Sequence, residues 1–230
     1  EIPLRLVGSE MCIRDRINTF RQVIKFDDHV ETMFTIISIR YSLDTTNETY
    51  AHAQDVMDEV APQLQVYSEK INKIMLNSPY RKELEDAFGT YLFKQLELAL
   101  KCFDAKIIED LQKENKLVSK YDKVMAGAKI KFNGQTYNLS QMGKFTTDVD
   151  RNVRKKATKA VAKFFEKNHE EIGQIYDDLV HVRDNMAKKL GFKNFIELGY
   201  ARLGRLDYND KDVANYRKQI QEVFVPIWVK

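Results

Sequence analysis

The stretch GFKNFIELGYARLGRLDYNDKDVANYRK, Gly191 to Lys218, decides how this chain is read. It follows an amphipathic helix that ends Met186-Ala-Lys-Lys-Leu190, and a glycine there suits the left-handed residue that closes a helix. Asn194 then caps a short helix carrying Phe195, Ile196, Leu198 and Tyr200, and Gly204 breaks it. Arg205-Leu-Asp-Tyr208 is a connector. Asn209, with Asp212 three residues on, caps the next helix. Three helices therefore meet through two tight turns, with Arg202, Arg205, Asp207 and Tyr208 at the junction.

Upstream, the same helical period recurs. Phe20–Leu43 carries Val23, Ile24, Phe26, Val30, Met33, Phe34, Ile37 and Ile39, and Asp27-Asp28 could restart a helix there. Thr45 and Glu48 form a capping box before a stripe of Val56, Val60, Leu64, Tyr67, Ile71 and Ile74. Pro62 lies inside that stripe and predicts a kink rather than a break, because the apolar positions continue on both sides. Ser78 as cap and Pro79 as first helical residue open a helix with Leu84, Phe88, Leu92, Leu96, Ala99 and Phe103. Leu111, Leu117, Val118, Tyr121 and Val124 make a further one.

From Gly127 to Leu139 the period changes to two. Ala128, Ile130 and Phe132 alternate with lysines, and Asn133-Gly134 turns the chain. A two-residue turn pairs Phe132 with Gln135, Ile130 with Tyr137 and Ala128 with Leu139. Ser140 then caps a short turn. Thr147–Asp150 opens a long helix with an acidic start and a basic body, and a separate helix spans about 170–190. The last helix, from Asp210, shows Val213, Tyr216, Ile220, Val223 and Phe224. Its apolar stripe, with Trp228, is still open at Lys230, which points to truncation. The expected fold is mainly α, a multi-helix lobe with a single β-hairpin near residues 128–139.

Composition narrows the function. Nine Gly and four Pro in 230 residues leave room for long helices, and 43% hydrophobic content supports a packed core. A net charge of +3 is too small to imply a nucleic-acid or membrane partner by itself. No apolar run is long enough to span a bilayer. Cys12 and Cys102 lie far apart without metal-type spacing, which suits a reducing, cytoplasmic setting.

His169-Glu-Glu-Ile-Gly173 begins like a zinc-peptidase motif, but Gly stands where the second His is needed. A helix-start histidine beside two acids is the plainer reading. Cys102, flanked by apolar residues, reads as buried and inert. Arg151, Arg154, Lys155, Lys156, Lys159, Lys163 and Lys167 form a basic helix face, read as solvated. The alternatives are nucleic-acid binding, for which interleaved aromatics and a high net charge are missing, and a face bordering a peptidase cleft.

The Gly191–Lys218 stretch resembles the oligoendopeptidase F family, zinc metallopeptidases related to thimet oligopeptidase. Gly-Phe-x-Asn-Phe, Gly-Tyr, Arg-x-Asp-Tyr and Asp-Val-Ala-Asn-Tyr-Arg stand in family order. Tyr41–Tyr50, Glu114–Leu117, the Ile130–Leu139 hairpin and Asp150–Arg154 also look like family segments. The defining His-Glu-x-x-His motif is absent from these 230 residues.

The resemblance implies an upstream fragment of a zinc-dependent oligopeptide endopeptidase. Residues 17–126 would form an N-terminal helical lobe, and residues 127–230 would begin the region leading to the catalytic helices. The zinc would belong to the full-length parent, with none bound here. The partners would be the missing C-terminal part and oligopeptide substrates, with no nucleic acid and no membrane. No catalytic or metal residue carries over, and the chain alone is expected to be inactive. Arg202, Arg205 and Tyr208 are the candidates for contact with peptide. The plainer alternative makes them a structural junction, with Arg205 bridging to Asp207 or a helix C-terminus.

Leu6–Arg16 resembles translated sequencing-adaptor read-through, of the kind found at the ends of metagenomic reading frames. Residues 1–16 are therefore set apart as an artefact, the alternative being a native arm. The competing reading of the whole is a free-standing helical interaction or scaffold module.

Overall fold

The computed structural model describes residues 13–229. Ten α-helices and one hairpin follow in the order α1 (Ile13–Leu43), α2 (Glu48–Leu76), α3 (Arg81–Phe88), α4 (Thr90–Cys102), α5 (Ile108–Ala126), β1 (Ile130–Phe132), β2 (Gln135–Tyr137), α6 (Leu139–Thr146), α7 (Arg151–Lys189), α8 (Phe195–Arg202), α9 (Asp210–Gln219) and α10 (Val225–Trp228). Of the string Leu6–Arg16, residues 13–16 begin α1, and Arg16 is buried with its guanidinium 5.2 Å from the centre of the Tyr80 ring. The rest of the string lies outside the described residues.

The described residues divide into two compact units, one of residues 13–25, 63–108 and 184–229, the other of 26–62 and 109–183. In the first, Phe20, Met75, Leu84 and Phe93 come from α1, α2, α3 and α4 and form a buried cluster. Leu84 is fully buried and Phe93 nearly so, each worth roughly 1.5–3 kcal/mol of apolar burial. Arg81 ties α3 to α4. It bonds Glu85 at 2.7 Å and Glu97 at 2.7 Å, over the Phe93 ring.

In the second unit, Ile130 and Phe132 of β1 pack with Met142 of α6 and Ala157 of α7. Phe145 sits between Phe132 at 4.9 Å and Tyr137 at 5.0 Å. A polar seam joins α2 to α5. Asp58, 3% exposed, accepts from Gln54 Nε2 at 2.9 Å and from Ser119 Oγ at 2.6 Å, so both its oxygens are satisfied. Arg183 of α7 donates to Glu114 of α5 at 2.6 Å.

The hairpin has the expected register, Ile130 opposite Tyr137 and Phe132 opposite Gln135, with Asn133 and Gly134 at positive φ. Pairing stops there, because Asn138 leaves the strand to cap α6. Its side chain accepts from Gln141 N while Gln141 Oε1 accepts from Asn138 N, so Asn138 and not Ser140 is the cap.

Several other boundaries differ from expectation. Asn47, not Thr45, caps α2, accepting from Thr49 N and Tyr50 N, while Thr45 is buried. Ser78 does accept from Tyr80 N at 3.2 Å, but within a turn, and α3 starts at Arg81. The stripe from Leu84 to Phe103 is two helices. Gly89, at φ 87° and ψ 143°, interrupts it in a conformation outside the helical region. Conversely, Asp27-Asp28 does not restart α1, and α7 is one continuous helix through Gly173. Its first turn holds no acid. Asp150 caps it from outside, accepting from Asn152 N at 2.8 Å. Helix α2 runs on through Pro62, which is fully buried.

Candidate functional site

The junction after α7 is built by two glycine closures of the same kind. Phe192 N donates to Ala187 O and Gly191 N to Lys188 O, with Gly191 at φ 89°. Arg205 N donates to Tyr200 O and Gly204 N to Ala201 O, with Gly204 at φ 66°. Asn194 caps α8 through Ile196 N, and Asn209 with Asp212 makes the expected reciprocal box on α9.

These turns bring Arg205 between two rings. Its guanidinium is 4.3 Å from the centre of Tyr200 and 5.4 Å from that of Tyr208, and the rings meet edge to face at 6.5 Å. Such a sandwich satisfies the cation by ring quadrupoles rather than by Asp207. Arg205 is half-buried and Tyr208 is 47% exposed. Of the three expected residues, the structure therefore joins Arg205 and Tyr208. Arg202 is exposed and lies 5.9 Å from the centre of the Phe195 ring. Sequence reading missed Tyr200. Its signal was the spacing from Arg205, one residue beyond a helical turn, which the glycine closure converts into contact.

The titratable groups singled out by sequence stay apart. His169 lies inside α7, not at a helix start, with Nδ1 2.7 Å from Glu166 O. His181 Nδ1 lies 2.8 Å from Asp177 O. Among the described residues no three His, Cys, Asp or Glu side chains gather as a metal site requires, so the donors present do not fit zinc. Cys102 is half-buried, not fully. Burial pushes its thiol above the ordinary value, against the opposing charges of Arg202 and Lys101, which leaves a weak nucleophile at neutral pH.

A second feature lies wholly within the second unit. The end of α5, strand β1 and one face of α7 line a groove of about 800 Å³. Lys123, Lys129 and Lys131 stand on one side, and Lys156, Lys159, Lys163 and Lys167 follow along α7. Val124, Ile130, Ala160 and Phe164 add apolar atoms to its lining. Part of the basic α7 face thus borders a concavity, whereas sequence reading favoured a solvated face over one bordering a cleft. The signal was present in Lys129-Ile-Lys131, whose alternation turns both lysines away from the core face of Ile130.

Comparison with known proteins gives these features a context. Residues 11–103 match the model of the peptidase M3 N-terminal domain. A crystal structure of an oligoendopeptidase F solved at 3.1 Å is 40% identical, with a TM-score of 0.93, over 97% of this chain and 40% of its own. An oligoendopeptidase F from Bacillus anthracis strain Ames is 41% identical over 97% of this chain and 41% of its own, again at a TM-score of 0.93. PZ peptidase A with an inhibitor matches at 41% identity and the same TM-score, over 97% of this chain and 40% of its own. No curated protein matches the chain. The chain spans about two-fifths of the length of these solved relatives. Sequence and fold together place it in the oligoendopeptidase F family of M3 peptidases, as a stretch corresponding to part of such a protein.

Proposed function

We propose that this chain is the N-terminal part of a cytoplasmic, zinc-dependent oligopeptide endopeptidase and forms one wall of its substrate cleft. The observation that carries this is 40–41% identity, sustained over 97% of the chain, to proteins of which it covers only about two-fifths. Residues 17–126 form the N-terminal helical lobe in this reading, and residues 127–230 lead toward the catalytic part. Zinc, which would polarise the peptide carbonyl and activate water, belongs to that other part. Arg202, Arg205 and Tyr208 would contact the peptide backbone or a terminal carboxylate. Arg205 is held by its rings, and Arg202 and Tyr208 reach solvent.

The exposed apolar stripe that runs from α9 through the turn Ile220–Phe224 into α10 supports a missing partner surface. Tyr216, Val223, Phe224, Ile227 and Trp228 are each at least 60% exposed. A second copy of the chain seated there would instead favour a free-standing interaction module, and sedimentation of the isolated chain separates the two.

The main test joins this chain in frame to the remaining part of the Bacillus anthracis relative. Chelator-sensitive cleavage of an oligopeptide is expected from the joined protein and not from the 230-residue chain alone. A folded but inactive joined protein, or chelator-sensitive cleavage by the chain alone, overturns the reading. In the joined protein, Arg202→Ala or Tyr208→Phe is expected to raise KM about threefold to tenfold, the loss of one hydrogen bond, with kcat kept. An unchanged KM makes the junction purely structural.

A further inference from the structure

We propose that the lysine-lined groove of the second unit binds an acidic peptide segment in extended conformation. The inference deepens the peptidase reading, since it names a class of substrate sequence and where that sequence docks.

Charge comes first. Seven lysines line the groove against one carboxylate, Glu171, and that one pairs with Lys120 at 3.6 Å. None of the seven is in an ion pair among the described residues, although lysines elsewhere on the chain pair readily. The whole chain has a net charge of only +3, less than the seven lysines and one glutamate of the groove carry by themselves, so the rest of the chain is net acidic. Gathering like charges around a concavity costs self-repulsion, which an anionic occupant relieves.

Shape and backbone favour a peptide over other anions. Lys156, Lys159, Lys163 and Lys167 fall three or four residues apart on one helix face, so they span about 16 Å along α7 at ~1.5 Å per residue. An extended strand rises about 3.3 Å per residue, so roughly five residues lie alongside them. Of the two strands, only β1 lines the groove, and among the described residues the sheet has two strands, so β1 has one edge without a strand partner there. Pairs alternate in a two-residue hairpin, so Lys131, opposite Thr136, turns its N–H and C=O to that edge. An added strand uses those groups for affinity and lets its carboxylates meet the ammonium groups on either side.

Nucleic acid fits less well. All the cations are lysines, point charges without the guanidinium fork, and the groove offers no exposed ring for base stacking. Its one aromatic, Phe164, is packed into the core below and against Phe165 at 5.3 Å.

The test is fluorescence anisotropy with the 230-residue chain and a labelled glutamate-rich peptide of about eight residues. Glutamine-substituted peptide and single-stranded DNA serve as the other arms. Saturable binding of the acidic peptide is expected. It should weaken as added salt shortens the Debye length from about 30 Å at 0.01 M to about 8 Å at 0.15 M. Lys159→Glu with Lys163→Glu is expected to weaken it on the order of tenfold or more, and the corresponding glutamine pair by less. Lys193→Glu with Lys211→Glu makes the same change of net charge outside the groove and is expected to change affinity by less than about twofold. These residues are all exposed, and circular dichroism of each variant checks that the fold is kept.

No saturable binding, equal loss in both reversal pairs, or tighter binding of DNA than of peptide at the same salt overturns the proposal. Because binding is read without cleavage, its failure is separate from failure of the joined protein to cleave.

Discussion

Asp122 shows how the polar seam of the second unit responds to pH. Desolvation, and then the charge of Asp58, raise its carboxyl above the ordinary value. Unfolded, it titrates near the ordinary value of about 3.9. The folded state therefore holds the proton to higher pH than the unfolded chain does. Its favourable contribution is fully present below the unfolded value and is lost as pH rises through the folded one. Asp122→Asn is accordingly expected to raise the urea midpoint at neutral pH and leave it nearly unchanged near pH ~3. The effect is small, because the side chain is exposed and screened. An equal change at both pH values would show that something other than charge is responsible. Asp27, beside Asp28, is raised for the same two reasons, in the same order. At this scale sequence reading was partial. It placed Arg205 at a junction but offered Asp207 or a helix C-terminus as its structural partner, because stacking between Tyr200 and Tyr208 depends on turn geometry that residue types do not encode alone.

Among the elements, glycine position decides where helices end. Gly173 sits inside α7 with open space where a Cβ would lie, so nothing there needs glycine. Gly191 also meets nothing within 4 Å, but its φ of 89° is one that side chains rarely adopt. Gly173→Ala is expected to stabilise the fold by about 0.5–1 kcal/mol, and Gly191→Ala to destabilise it by about 1–2 kcal/mol. Urea denaturation of the two variants checks both signs, and stabilisation by Gly191→Ala would refute the closure described for α7. The π-turn over Ile220–Phe224 has an equally local cause. Pro226 lacks an N–H and crowds the preceding turn. The chain widens ahead of it, with Val225 N donating to Ile220 O.

For the whole molecule, Trp228 is a built-in reporter. It is the chain's only tryptophan and is 85% exposed, on a stripe with no buried residue across α9 and α10. The isolated chain is expected to emit like indole in water and to bind a hydrophobic dye, and Trp228→Ser with Ile227→Ser should reduce that dye signal at least twofold. In the joined peptidase the emission should shift to the blue as the stripe is covered. An unshifted emission in an active joined protein would mean that the catalytic part docks elsewhere. No helix among the described residues is long and apolar enough to cross a membrane.

Local signals were enough for what local physics controls. Hydrophobic period separated helices from the hairpin, Asn133-Gly134 set the register of Ile130 with Tyr137, and Gly191, Asn194, Gly204 and Asn209 marked the ends of α7, α8 and α9. Each of these rests on backbone conformation or hydrogen bonds within about five residues. Tertiary structure decided the rest. It chose Asn47 over Thr45 as a cap, because Thr45 is buried. It kept α7 whole through Gly173 and split α3 from α4 at Gly89. It also set Lys123, Lys129 and Lys131 opposite the lysines of α7. A glycine's cost in a helix is about 1 kcal/mol, small enough for packing to override. A groove between segments some thirty residues apart exists only once the chain has folded.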